Sequence, residues 1–273
     1  MKIWLDGALC EEAQARVSPF DHGLLTGDGV FETLRVYGGI PFALRRHLLR
    51  LGRSAAGLGL PLLPAADLSR ASADVIAANG IAEGRLRITV TGGPGPLGSE
   101  RGDAGPTTVV AAAPLVPWPP TVDVVMAPWS RNERSATAGL KTISYADNVV
   151  ALAHARARGA GEAVFPNSAG RLCEGTGTNV FVAIGGRLLT PPLASGCLAG
   201  VTRELLLEAG VAAEEDLDSS DLARAQEAFL TSSTREVHPI RAVDGRPLPR
   251  CPGPLTQRAV EAFAAVLSAG KEP

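Results

Sequence analysis

Seven residues, Pro114-Leu115-Val116-Pro117-Trp118-Pro119-Pro120, constrain this 273-residue chain more than any others. Each proline removes a backbone donor and fixes its φ, so the run cannot lie inside a sheet or a helix. It reads as a stiff linker. The chain is therefore expected to form two units: a small N-terminal one over residues 1–115, a linker over 116–121, and a larger one over 122–273. On both sides, strand-like alternation and helical spacing both occur.

Before the linker, residues 2–5, 30–36, 85–91 and 107–113 read as strands. Tyr37-Gly38-Gly39 should turn the second of these into a hairpin. Leu44, Leu48, Leu51, Ala55 and Leu58 recur at helical spacing, and a second helix is expected over 67–78 with Asp67 as its cap. Asp21 to Gly29 predicts a tight loop suited to close approach of a ligand. The glycine-rich stretch Gly92 to Gly105 predicts a mobile loop. After the linker, strands are expected at 122–126, 162–165, 179–183, 187–190, 228–231 and 235–241. Helices are expected at 146–158, 202–209, 219–226 and 254–268.

The formal net charge is −2, which gives no electrostatic case for nucleic acid or an anionic membrane. No apolar run reaches the roughly 20 residues of a membrane span. The N-terminus turns polar too early for a signal peptide, so the expected location is the cytoplasm. Cys10, Cys173, Cys197 and Cys251 are scattered without metal-ligand spacing, so reduced thiols and no metal are expected.

Lysine usage singles out one side chain. Only Lys2, Lys141 and Lys271 occur among 26 basic residues, and two of them lie near the ends. A lysine is ordinarily a surface residue. Here arginine serves the surface, and Lys141 follows an apolar approach of Ala136, Ala138 and Leu140. Burial disfavours an ammonium ion, and the neutral amine can attack a carbonyl carbon. Glu174 leads small residues into an apolar strand, where a carboxylate could hold a heteroaromatic nitrogen protonated. Gly196 to Glu204 places glycine just ahead of a helix start, a site suited to an anion. Thr231 to Glu236 adds hydroxyls and an arginine after a strand. Arg46, Arg50 and Arg53 share one helical face, and spacing alone makes that face a solvated one.

Five blocks in order resemble the class IV aminotransferases, the fold type IV group of pyridoxal phosphate enzymes. They are His47 to Leu51 with Arg50, the Lys141 stretch, Glu174 to Phe181, Gly200 to Arg203, and Thr231 to Glu236. The resemblance runs from about residue 2 to residue 245. It implies an α/β (α+β) fold and a homodimer of two-domain subunits with pyridoxal 5′-phosphate between the domains, acting on an amino acid and a 2-keto acid. By position, Lys141 resembles the lysine that carries the cofactor and shuttles the proton. Glu174 resembles the partner of the ring nitrogen. Arg50, Val201, Thr202 and Ser233 resemble phosphate ligands, and Tyr145 a residue near the cofactor's phenolic oxygen.

The reaction is less constrained. The residues Thr91-Gly92-Gly93-Pro94 lack the arginine and histidine of the well-known D-amino acid enzymes, and Phe31 replaces their tyrosine. Arg87, expected on an inward face with Thr89 and Thr91, is one candidate for a substrate carboxylate. Arg35 and Arg235 are two others, with Phe31 and Thr234 nearby in sequence. The leading expectation is an aminotransferase of D-type or broad specificity. The block Phe31 to Arg35 also resembles 4-amino-4-deoxychorismate lyases, which release p-aminobenzoate and pyruvate. A non-catalytic binder of the cofactor is a remote third.

Overall fold

A computed structural model describes residues 1–273. Contacts divide the chain into two compact units. The first holds Met1–Val116 and Leu140–Tyr145, and the second holds Pro117–Gly139 and Ala146–Lys271. The lysine stretch, assigned by sequence order to the larger unit, thus packs with the smaller one. Backbone pairing explains why, as described below.

The first unit is a six-stranded sheet covered by two helices. Its strands are β1 (Lys2–Leu5), β2 (Ala8–Glu11), β3 (Gly29–Tyr37), β4 (Ile40–Pro41), β5 (Gly84–Thr91) and β6 (Thr108–Pro114). They lie in the order β2-β1-β6-β5-β3-β4. Asp21 caps the four-residue helix α1 (His22–Leu25) by accepting from the Gly23 N–H, in place of the tight loop expected there. Helices α2 (Leu44–Leu58) and α3 (Ala65–Ala78) follow.

Period-two alternation puts Val30, Leu34 and Val36 of β3, and Leu86, Ile88 and Val90 of β5, against Leu51, Ala55, Leu68 and Val75 of the helices. Burying such side chains contributes about 1.5–3 kcal/mol each. Helix α2 ends at Gly59, whose φ of 65° suits the left-handed turn that returns its N–H to the helix. Asp67 does not cap α3. Pro64 occupies that position without a side-chain cap, and Asp67 sits in the first turn, where a negative charge suits the helix dipole. The stretch expected to be mobile is anchored: Arg101 donates twice to Asp28, at 2.6 and 2.7 Å, and once to the Gly59 carbonyl.

The second unit is a nine-stranded sheet. Its strands are β7 (Val122–Met126), β8 (Glu162–Pro166), β9 (Leu172–Gly175), β10 (Asn179–Ile184), β11 (Arg187–Thr190), β12 (Ala213–Glu214), β13 (Glu227–Ser232), β14 (Glu236–Val243) and β15 (Arg246–Pro247). The main path runs β12-β11-β10-β13-β14-β7-β8-β9, with β15 on β14. A further pairing of β9 with β10 closes part of this path on itself at Glu174↔Asn179. Four helices accompany it: α4 (Ala146–Arg156), α5 (Val201–Glu208), α6 (Asp221–Arg224) and α7 (Pro254–Ala269). Val124, Val164, Val180, Val182 and Leu230 are among the core residues. The four cysteines are free thiols. No helix is long and apolar enough to cross a membrane.

Candidate active site

In the first unit the site residues are built around β3. Between residues 29 and 31 the edge of this strand is taken by the lysine stretch. Phe31 N–H donates to the Lys141 carbonyl at 3.0 Å, and Ile143 N–H donates to Gly29 at 2.9 Å, around the bridge Val30↔Thr142. The Lys141 N–H donates to Ser54 Oγ of α2 at 3.0 Å. A side chain on Gly29 would meet the Val90 carbonyl at 2.6 Å, so glycine is what lets β3 lie this close to β5 where the lysine stretch joins it.

Lys141 is half-buried, with Nζ 4.5 Å from the centre of the Phe31 ring. Phe31 is buried, meets Tyr145 edge-on at 5.2 Å, and carries the Arg87 guanidinium over its face at 3.8 Å. Arg87 Nε donates to Thr89 Oγ1 at 3.0 Å. Arg87 does not point into the apolar core, which takes Leu86 and Ile88. It stands exposed on the opposite face with Phe31. Arg35 is paired with Glu83 at 2.9 Å and covers Tyr37, so its charge is already matched.

Arg50 overturns the solvated-face expectation set by its spacing. It is buried, whereas Arg53 on the same helix is exposed. Its Nε and Nη2 donate to the two oxygens of Glu32 at 2.8 and 2.7 Å. His47 Nδ1 lies 2.6 Å from the same carboxylate. Burial alone would raise the Glu32 pKa. The charge of Arg50 and the hydrogen bonds from Arg50 and His47 outweigh it and hold the carboxyl well below its usual range. Burial lowers the His47 pKa, outweighing the pull of Glu32, so the imidazole is neutral and donates from Nδ1. Glu32 and His47 were not among the expected site residues. The signal was present: Glu32 is in phase with Val30, Leu34 and Val36, on the core face of β3.

In the second unit the residues gather where the strand path closes. Glu174 of β9 pairs with Phe165 of β8 on one side and Asn179 of β10 on the other, and Asn179 pairs with Thr231 of β13. Glu174 Oε2 accepts from the Leu198 N–H at 2.9 Å, and Asn179 Nδ2 donates to the Leu198 carbonyl at 2.8 Å. That loop leads through Gly200 to Val201 and Thr202, the first two residues of α5. A Cβ on Gly200 would collide with Asn179 Oδ1, so glycine lets the start of the helix approach the end of β10. Val201 and Thr202 are both buried. Ser233 and Thr234 form the turn between β13 and β14 and are half-buried.

Glu174 Oε1 lies 3.2 Å from Arg131 Nε, a partner that sequence reading missed. Arg235 does not present its fork to a ligand. Its side chain is 7% exposed, pairs with Glu162 at 3.1 Å and stacks on Trp118 at 4.0 Å.

These residues fit pyridoxal 5′-phosphate. Helix α5 begins beside hydroxyl-bearing Thr202, and Thr231 Oγ1 is buried without a partner in the adjoining strand. A carboxylate with one oxygen held by a backbone N–H suits a protonated ring nitrogen.

The class IV aminotransferase family model matches residues 29–243. The chain belongs to the class IV aminotransferases. A putative branched-chain-amino-acid aminotransferase of Methanocaldococcus jannaschii is 34% identical over 96% of this chain and 95% of its own. D-alanine aminotransferase of Bacillus licheniformis is 34% identical over 96% of each chain. A bifunctional aminodeoxychorismate lyase/D-amino acid transaminase of Mycobacterium tuberculosis is 31% identical over 92% of this chain and 94% of its own. The solved branched-chain aminotransferase of Thermoproteus uzoniensis superposes with a TM-score of 0.91 at 32% identity, covering 100% of this chain and 96% of that one. The protein is thus a catalytic member of a pyridoxal-phosphate family with the fold of type IV aminotransferases.

Proposed function

We propose that this class IV enzyme is an aminotransferase that moves the amino group of an amino acid to a 2-keto acid, with branched-chain amino acids as its substrates. One observation carries the reading. Arg87 lies on the Phe31 face, as does the Lys141 amine, and its Nε is bonded to a threonine hydroxyl, whereas Arg35 and Arg235 are matched to Glu83 and Glu162. Arg87 is the cation that receives the substrate carboxylate, a charge-assisted contact of about 1.5–3 kcal/mol. The rings of Phe31 and Tyr145 supply apolar surface for an aliphatic side chain. The Methanocaldococcus and Thermoproteus relatives, both named as branched-chain aminotransferases, support branched-chain substrates, whereas the Bacillus relative and the transaminase activity named for the Mycobacterium relative support the D-amino acids expected from sequence.

Pyridoxal 5′-phosphate, when bound, supplies an electron sink for bonds at the substrate α-carbon. Lys141 holds the cofactor, then takes the α-proton and returns it. Arg50, the Val201 N–H, Thr202 and Ser233 hold the phosphate. Glu174 holds the proton on the ring nitrogen, and Tyr145 orients the ring. Thr234, in the turn between β13 and β14, is a substrate contact in this reading.

The Mycobacterium relative supports a second reading, the lyase, and a single assay separates the two. Purified protein given L-leucine or L-valine should form product only when 2-oxoglutarate is also present. Release of p-aminobenzoate and pyruvate from aminodeoxychorismate with no acceptor, and no transamination, would replace the proposal with the lyase.

A further inference from the structure

Arg131 is held on three sides within the second unit. Its backbone N–H donates to the Pro166 carbonyl at 2.8 Å, which sets its Cα beside the end of β8. Its guanidinium lies over the Phe165 ring at 4.3 Å. Its Nη2 donates to Asn148 Oδ1 at 2.9 Å, and Asn148 is in turn fixed by Nδ2 donating to the Thr176 carbonyl at 2.6 Å. The remaining nitrogen, Nε, lies 3.2 Å from Glu174 Oε1, an ion pair without the alignment of a hydrogen bond. Phe165 and Glu174 are register partners across β8 and β9, so the ring that carries the arginine and the carboxylate that meets it project from the same face.

We infer that Arg131 is a positioning residue that aims the Glu174 carboxylate and keeps it ionised, with Asn148 and Phe165 as its supports. The inference rests on the proposed role of Glu174 toward the cofactor ring. The physical reason is a competition for one proton. A carboxylate facing a ring nitrogen can keep the proton itself or leave it on the nitrogen, and only the second arrangement makes the ring a strong electron sink. A fixed cation at 3.2 Å favours the charged carboxylate. The Leu198 N–H on the other oxygen adds to that and fixes the carboxylate's rotation. Lysine at 131 would supply charge without the planar fork that Asn148 and Phe165 grip.

The test compares binding of pyridoxal 5′-phosphate with binding of its 1-deaza analogue, whose ring has no nitrogen, to full-length apoprotein by fluorescence titration. Wild-type protein should prefer the natural cofactor at least tenfold. R131M should lose most of that preference while binding the analogue as wild type does, and its affinity for the natural cofactor should become dependent on pH between about 5 and 8, where the wild type is flat. R131K should recover part of the preference, and it serves as the readout if R131M does not fold. A wild-type preference in both R131M and R131K would overturn the inference. E174Q separates the two levels. If E174Q loses the preference and R131M keeps it, only the role of Arg131 fails. If E174Q also keeps it, the assignment of Glu174 to the ring nitrogen fails first.

Discussion

Each unit contains a carboxylate matched to an arginine, and the two pairs are built differently. In the first unit both oxygens of Glu32 accept from Arg50, His47 adds a third contact, and the carboxylate is fully buried. In the second, Arg131 approaches Glu174 through one nitrogen, a backbone N–H holds the other oxygen, and 13% of the Glu174 side chain remains exposed. A bidentate, enclosed pair locks its arginine in place and contributes to folding. A partly exposed carboxylate held by one arginine nitrogen and one backbone N–H contributes less to folding. The difference separates scaffold from proposed chemistry: Glu32 fixes Arg50, while Glu174 carries the contact proposed for the cofactor ring.

Exchanging the charges tests that division. Glu32→Gln leaves a buried guanidinium without its counter-ion and should lower stability by about 3–5 kcal/mol, read by urea unfolding. A loss below about 1 kcal/mol would place Glu32 outside the scaffold. Glu174→Gln should reverse the pattern. Its turnover should fall by about 10²–10³-fold, the usual effect of removing one group that stabilises developing charge. Its stability should change by under about 1 kcal/mol, as for a partly exposed pair.

Arg87 and Arg35 sharpen the contrast at the substrate. Arg87→Ala should raise KM for the amino acid by about 10–100-fold, the equivalent of one charge-assisted hydrogen bond. Arg35→Ala, which loses a pair with a half-exposed glutamate, should leave KM within about twofold. Equal effects would remove the distinction between an arginine offered to substrate and one already matched.

The smallest effect is on pH. His47 is neutral in the fold because burial depresses its pKa below 6.5, and Glu32 is ionised because its pKa is depressed below 4.5. In both cases the unfolded chain binds protons first on acidification. Stability is therefore complete above about pH 6.5 and declines below it, first through His47 and then, below about pH 4.5, through Glu32. In His47→Asn the decline between about pH 6.5 and 4.5 should flatten, and an unchanged acid limb would assign it to other groups.

The fold was legible where periodicity was regular. Leucine spacing marks the whole of α2, and alternation marks β3 and β5. Strand β2 escaped because it is short and largely exposed, and β9 because Leu-Cys-Glu-Gly does not alternate. Within the site, Lys141 and Glu174 stood out through rarity and motif. Arg131 did not, because its meaning depends on Asn148, Phe165 and Glu174, which lie 17 or more positions away and meet it only in the folded chain. Arg50 shows the same limit from the other side: its spacing matches Arg53, and only the carboxylate 18 positions earlier makes it internal.

The most direct test of the account is chemical. Holoprotein reduced with borohydride and digested should carry the pyridoxyl group on the peptide containing Lys141 alone. Label on Lys2 or Lys271 instead, or a protein whose cofactor washes away after reduction, would contradict the assignment of Lys141 as the residue around which the chemistry is built.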